Sequence, residues 1–556
     1  MLKILYLSRL RQSLSVTLML ISTLVFGQDE WAESGEIESA EVIIEKDREV
    51  VLPQANRFFD KVPPSIIDKQ AVPQTYDFTN YEYNGSFYQP QIKVQQLPTL
   101  DTGDDYKNYV KLGYGNLNSP LGELSLNTSN QNVAAGLSFR HLSFGKGPVN
   151  GKESASSDNE ASLYGRFSGK KAVFSANLDF NSYARKFYGY NPSLTPEDFE
   201  VASQRYNRLG VALSLRDNDD SGKVQYNVGA NYYNLSDDFE ASENGFNLSL
   251  ESASSLTDNI QLIINANSLL TTYEDGNDQN RNLTRFQPGI RYQLGELSIL
   301  GGANLAFAND TIANASDFNL YPHIEAFYKL SNKWAIEAGI TGDLEARTLD
   351  KLVMDIKFLS PQVPLVHANK QFEFNSSITG SIGQHVGIKV GGAFATYENL
   401  NYLINSPNNV DRTFQPIYDE KADRLNLFTQ LMVSLPGDFT LNTRLDYFGY
   451  GTNDFDEAYH RPELIFNFNA SKEIIDKLNV AFGSTIISGI KVLDSNNFET
   501  IELAAGVDLN LNLDYSINEQ LHSFIQLNNI IGNEYKRLLF YQVRPFMLHA
   551  GFSYSF

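Results

Sequence analysis

The sequence predicts an all-β fold: a transmembrane antiparallel β-barrel of about 22 strands behind a short irregular N-terminal periplasmic arm. Three observations predict it. The chain ends in an apolar strand, it begins with an export signal, and between them short and long connections alternate. In the last eleven residues, one set of alternate positions is Phe546, Leu548, Ala550, Phe552, Tyr554 and Phe556, and the other is Met547, His549, Gly551, Ser553 and Ser555. A period of two with aromatics crowding one face is a strand whose apolar side meets a greasy surface. As a free edge it would aggregate; closing a barrel in lipid removes the edge and covers the face.

At the amino terminus, Lys3, Arg9 and Arg11 precede an apolar run from Leu14 to Phe26, and Gly27 leads into Gln28, Asp29 and Glu30. That order is a signal peptide over residues 1–27. The run is shorter than the ~20 residues of a spanning helix, which argues against a membrane anchor. The chain contains no Cys, so a lipoprotein anchor, disulfides and thiolate metal sites are excluded. The formal charge of -22 becomes -25 once the three basic residues of the signal are removed, which argues against a nucleic-acid partner.

Residues 28–105 are acidic and punctuated by Pro53, Pro63, Pro64, Pro73, Pro90 and Pro98. Nine acidic residues between Gln28 and Val50 face only Lys46 and Arg48. The composition is that of a largely extended periplasmic arm, with room for a short helix near Glu36 to Arg48, or equally of a purely disordered spacer. Its apolar residues, among them Val42, Ile43, Ile44, Phe58 and Phe59, could dock on a protein partner or inside the lumen.

Residues 106–556 carry the barrel. Phe174, Ala176, Leu178 and Phe180 alternate with Ser175, Asn177 and Asp179; Leu441, Leu445 and Tyr447 with Asn442, Arg444 and Asp446; Val507, Leu509, Leu511, Leu513 and Tyr515 with Asp508, Asn510, Asn512 and Asp514. The polar set needs water and so faces a wet lumen, leaving the apolar set to lipid. Short connections fall at Gly169-Lys170, Thr257-Asp258, Leu294-Gly295, Ser331-Asn332, Gly383-Gln384, Pro436-Gly437 and Asn518-Glu519. Long polar loops are expected at Gly145–Ser157, Tyr188–Ser203, Tyr273–Asn282, Leu349–Lys370 and Glu398–Asp423. Periplasmic turns and extracellular loops alternate in this way.

The closing hairpin, Leu527-Asn-Asn-Ile-Ile-Gly-Asn-Glu-Tyr535 and then Lys536 to Tyr541, ending Gly551-Phe-Ser-Tyr-Ser-Phe556, resembles the final hairpin of TonB-dependent receptors. Asn108–Gly115 and Phe358-Leu-Ser-Pro361 are similar to segments of such barrels in Bacteroidota-type bacteria. The resemblance implies a wide outer-membrane barrel of a Gram-negative cell. It does not extend to the globular plug of well over a hundred residues that those receptors carry, because only about 78 residues lie between the signal peptide and Tyr106. A TonB-contact box is also missing, so the barrel is expected to be plug-less.

Candidate chemistry is sparse, and no catalytic, cofactor-binding or metal residue is assigned; the chain is not expected to be an enzyme. The seven His, at 141, 323, 367, 385, 460, 522 and 549, are scattered singly. His141 with Ser143 is the one suggestive pair for nucleophilic catalysis, and it reads as two polar residues on a lumen face. Asp217-Asn-Asp219-Asp-Ser221-Gly222 begins like a Ca²⁺ loop but has Val228 where a bidentate Glu belongs, so it reads as a turn. The acidic run Glu274 to Asp278 could bridge a divalent ion to lipopolysaccharide, though such loops are ordinary. Arg185 to Tyr190, and Tyr397, Tyr402 and Tyr418, could stack on sugars or simply be girdle aromatics.

Two functions survive. One is a channel or transporter for small hydrophilic solutes, with a net-acidic inner face that leans toward cations. The other is a structural or assembly component that recruits a periplasmic partner through residues 28–105. Both place the protein in the outer membrane, against lipid and lipopolysaccharide.

Overall fold

A computed structural model describes residues 108–190, 201–218, 223–276, 278–310, 318–406, 412–494 and 498–556. The signal peptide and the arm over 28–105 lie outside the described residues, as does most of the Ca²⁺-like segment. The described chain forms one 22-stranded antiparallel sheet closed on itself. Closure is made by the first strand, Tyr109–Gly115, which pairs on one side with Ser119–Ser129 and on the other with the last strand, Met547–Ser555. At the seam Gly113 stands opposite Gly551, and a Cβ on Gly551 would lie 2.0 Å from the Leu112 carbonyl oxygen. Only glycine lets these two strands approach so closely.

Alternation sorts the two faces. Phe552, Tyr554 and Phe556 are exposed on the outer wall, as are Phe174, Leu178 and Phe180, while Lys111, Phe524 and His549 are buried on the inner side. A contiguous apolar exterior on a closed barrel is what lipid contact requires, and with this strand number it is an outer-membrane architecture. The short connections expected from the sequence all fall at the end where Tyr109 and Ser555 meet, the periplasmic end, and three of them turn through left-handed glycines, Gly295 at φ 58, Gly383 at φ 67 and Gly437 at φ 83. Several strands, such as Asp278–Leu294 with 17 residues, are longer than the ~9–11 a tilted strand needs to cross. Their extra length stands above the membrane as an inner wall for the loops.

The long connections match the sequence expectation at four of five places. The exception is Tyr273–Asn282: one strand ends at Glu274 and the next begins at Asp278, so the polar run continues the ladder instead of leaving it. Three further small sheets sit inside long loops, pairing Leu400–Asn405 with Phe414–Asp419, Lys491–Asp494 with Glu499–Glu502, and Lys536–Leu538 with Tyr541–Gln542. The loop over 346–367 holds a helix, α1 (Leu349–Asp355). Thr348 caps it by accepting a hydrogen bond from the Lys351 amide, and Leu349, Leu352 and Val353 form its buried face.

Candidate functional site

The extracellular loops fold together into a core across the mouth of the barrel. Leu349, Leu352, Val353, Ile356 and Leu359 of the α1 loop pack with Leu403 and Phe414 of the next long loop, with Tyr541 of the last, and with wall residues Tyr206, Tyr233, Leu235 and Tyr273. The α1 loop leaves the barrel after the strand Trp334–Glu345, and the wall residues it meets lie several strands away, on Ser203–Asp217, Val224–Asp237 and Ile260–Glu274, so the loop reaches inward over the lumen. At the centre lies an aromatic box. The ring of Phe358 is 4.0 Å from that of Tyr541 and 5.7 Å from that of Tyr188; Tyr188 is 5.0 Å and Phe414 5.7 Å from Tyr541. Four separate loops supply these four rings. Burial of this kind, at roughly 1.5–3 kcal/mol per large side chain, is enough to hold loops that no lipid covers.

Polar anchors tie the core to the wall. Glu243, fully buried at the rim, accepts hydrogen bonds from the Leu349 amide at 2.8 Å, the Asp350 amide at 3.0 Å and the Tyr233 hydroxyl at 2.8 Å. The first turn of α1 therefore has both its free amides and its dipole matched by a carboxylate. Arg208 reaches Asp350 at 2.8 Å, and Asp275 accepts from the Val363 amide at 3.2 Å. Asp275 belongs to the acidic run that composition alone offered as an ion bridge; its carboxylate instead docks a loop. Fully buried Arg281 donates to His367 Nδ1 at 2.9 Å and to the Arg347 carbonyl oxygen.

His460 ties its own loop to three others. Its Nδ1 donates to the Leu403 carbonyl oxygen at 2.7 Å, its Nε2 accepts from the Leu539 amide at 3.2 Å, and its own amide donates to the Lys491 carbonyl oxygen at 2.8 Å. The Phe414 ring stands edge-on at 5.1 Å. An imidazole that both donates and accepts is neutral. Burial pushes its pKa down to about 4. Burial also raises Asp355, at the end of α1, to about 7, opposed by Arg347, Arg461, Lys357 and Lys351, and lowers Lys357 to about 8.

Below the loops the inner wall is polar, with a recess of about 450 Å³ bounded by Arg166, Ser175, Asn177, Asn227, Asn231 and Ser249. Several lumen carboxylates are met by cations: Arg140 lies between Glu123 and Glu160 at 3.4 and 3.9 Å, Arg185 grips Asp158 at 2.6 Å, and Arg444 grips Asp446 at 2.7 Å. The inner face is thus less acidic in effect than net charge suggests.

The aromatics offered as a sugar platform are used otherwise. Phe187, Tyr190, Tyr397 and Tyr402 are buried, Tyr188 sits in the aromatic box, and Tyr418 donates to the Pro364 carbonyl oxygen at 2.8 Å. His141 and Ser143 do lie together, but on the outer wall and not in the lumen: Lys111, Glu123 and Arg140 share one register row on the inner face, which turns the odd positions of this strand outward with exposed Leu137 and Phe139. Among the described residues no group of three or more His, Asp and Glu is placed to hold a metal ion. Sequence reading missed Glu243, His460 and Asp355, since nothing in a single acidic or imidazole residue marks it as a loop anchor.

No family model and no curated protein matches the sequence. Among solved structures, the chain is similar to the FrpB iron transporter from Neisseria meningitidis, with a TM-score of 0.65 and 10% identity over 82% of each chain. It is similar to the siderophore receptor PirA from Acinetobacter baumannii, with a TM-score of 0.61 and 10% identity over 81% of this chain and 80% of that one. It also resembles the pyoverdine outer-membrane receptor FpvA from Pseudomonas aeruginosa, with a TM-score of 0.60 and 12% identity over 81% and 78%. At such identity the likeness is one of fold.

Proposed function

We propose that this barrel is a gated outer-membrane transporter for small hydrophilic solutes, without a plug of its own, in which the extracellular loops are the gate. The observation that carries the reading is the folded loop core above a polar lumen: a permanently open pore has no use for a lid with its own aromatic centre and buried anchors. The likeness in fold to an iron transporter and to siderophore receptors supports transport as the class. The paired lumen charges favour passage of neutral polar solutes over a strong choice between ions.

Liposome swelling tests it. Vesicles holding the intact protein are expected to swell slowly in pentose and hexose solutions. Replacing residues 349–365 by a short Gly-Ser linker is expected to speed swelling at least tenfold, with a size cut-off set by the lumen. If the shortened barrel inserts yet admits no sugar, transport is wrong, and the assembly reading, with recruitment through residues 28–105, takes its place.

A further inference from the structure

Outside the loop core, the lipid-facing wall holds a second arrangement. The strand Val133–Phe144 turns Leu137 and Phe139 outward, 40% and 42% exposed, and its next outward positions are His141 and Ser143. Its neighbour Ser156–Ser168 turns out Phe167, Leu163 and Ala161, then Asn159 and Ser157. The register aligns Phe139 with Ala161 and Phe180, and one row higher aligns His141 with Asn159 and Ser182. Three adjacent strands change from apolar to polar at the same row. That row marks the upper edge of the hydrocarbon band, where the acyl esters of outer-leaflet lipids lie.

At this height the His141 imidazole bridges two partners. Nδ1 is 2.7 Å from Asn159 Oδ1, and Nε2 is 3.1 Å from Ser143 Oγ. The Asn159 amide nitrogen donates to Ser157 Oγ at 3.3 Å, which fixes its oxygen toward the ring. An amide oxygen only accepts, so Nδ1 carries the proton and Nε2 is left to accept from the serine hydroxyl. Hydroxyl, base and orienting group thus stand in the order of a nucleophilic triad, which is recognised by geometry and not by fold.

Room for a substrate lies beside it. Across from His141 stands Gly122, where an added Cβ would meet only Leu112 Cδ2, at 3.9 Å. Further along the rim a recess of about 520 Å³ is lined by Tyr114, Asn118, Lys146 and Leu548, and Lys146 is exposed there. The notch at Gly122 would seat an ester above the acyl chains.

We propose that Ser143, His141 and Asn159 form a serine acyl-hydrolase site that cleaves fatty acyl esters of outer-membrane lipids from the outer wall of the barrel. Ser143 Oγ attacks the ester carbonyl carbon while His141 Nε2 takes the hydroxyl proton. The ester C–O bond breaks, and His141 returns that proton to the departing alkoxide, which leaves as the lyso-lipid alcohol. Water, giving a proton to the same nitrogen, then attacks the acyl-serine carbonyl carbon; the acyl C–Oγ bond breaks, the fatty acid leaves, and His141 returns the proton to Ser143 Oγ. Ser143 and His141 are the catalytic residues; Asn159 is a positioning residue that holds the tautomer.

The test uses the full-length protein with two lipid probes, phosphatidylethanolamine vesicles and purified lipopolysaccharide, and a fluorophosphonate label located by peptide mass spectrometry. Label on Ser143, together with fatty acid released from one probe, is the expected result. Release from the first names phospholipid as substrate; release from the second names the acyl esters of lipid A. Ser143→Ala is expected to lower release by about 10³-fold or more, and His141→Gln to abolish labelling while the barrel still shows its folded gel mobility. Asn159→Ala should slow labelling strongly and Asn159→Asp should restore part of it, a rescue that a merely structural role would not produce. No label on Ser143 with no release from either lipid overturns the proposal, as does release that Ser143→Ala leaves undiminished.

Discussion

Glu243→Ala is expected to undock the α1 loop while leaving the barrel folded. The carboxylate is fully buried and serves two helix amides and the Tyr233 hydroxyl. Its removal strands three donors in a site closed to water and takes away the charge that the α1 dipole meets. Breaking a buried charged hydrogen-bond cluster by deleting one partner costs about 3–5 kcal/mol. That range corresponds to opening made about 10²–10⁴ times more frequent. Hydrogen exchange of residues 349–356, read by mass spectrometry at neutral pH, should lose protection by that factor, while the strands Ser242–Thr257 and Ile260–Glu274 keep theirs. Glu243→Gln, which keeps an acceptor oxygen, should fall between. Unchanged protection in the alanine variant would mean that the loop is held by its apolar face alone.

Asp355→Asn should make an acid-resistant gate acid-labile. His460 has its pKa lowered from 6.5 to about 4 in the closed core, so its contribution to closure is complete above pH 6.5 and is lost as pH falls toward 4. Asp355 is raised from 3.8 to about 7, so its contribution is complete below pH 3.8 and is lost as pH rises toward 7. Between pH 4 and 6.5 the two slopes oppose one another, and closure in the unmodified protein should change little. With Asp355 neutralised, only the His460 term remains. Closure should then weaken by about 3 kcal/mol, or about 10²-fold in opening, from pH 6.5 to 4. Exchange of the same segment, corrected for intrinsic rates, reads the effect. A variant whose protection follows that of the unmodified protein across this range would show that the two groups do not titrate against the gate.

The barrel was legible in the sequence because lipid imposes a repeating rule. Phe552, Tyr554 and Phe556 had to face outward wherever their strand sat, and turns such as Pro436-Gly437 had to be tight. Strand number and the short-long alternation followed from the same local pattern. The loop core was not legible, because its parts meet only after the ring has closed. Tyr188, Phe358, Phe414 and Tyr541 are hundreds of residues apart at the extremes, and each alone looks like a girdle aromatic. Their burial depends on which loops cross the mouth, which no periodicity encodes. The face of His141 and Ser143 was misread for a related reason. Alternation separates two sets of side chains, but only the register with Glu123 and Arg140 shows which set is inside. The acidic run at Glu274 to Asp278 misled in a similar way, since a polar strand end standing above the membrane has the composition of a loop.

A mouth closed by folded loops shuts the lumen to bulky reagents from outside. The chain has no cysteine, so Ser249→Cys places a single thiol on the inner wall beneath the gate. Intact cells are treated with a maleimide on a polyethylene glycol chain too bulky to cross the outer membrane, with exposed Lys152→Cys on an extracellular loop as the positive control. Labelling is expected to be prompt at 152 and almost absent at 249, and to appear at 249 once residues 349–365 are replaced by the linker. Prompt labelling at 249 with every loop in place would contradict it, and the barrel would have to be regarded as an open pore.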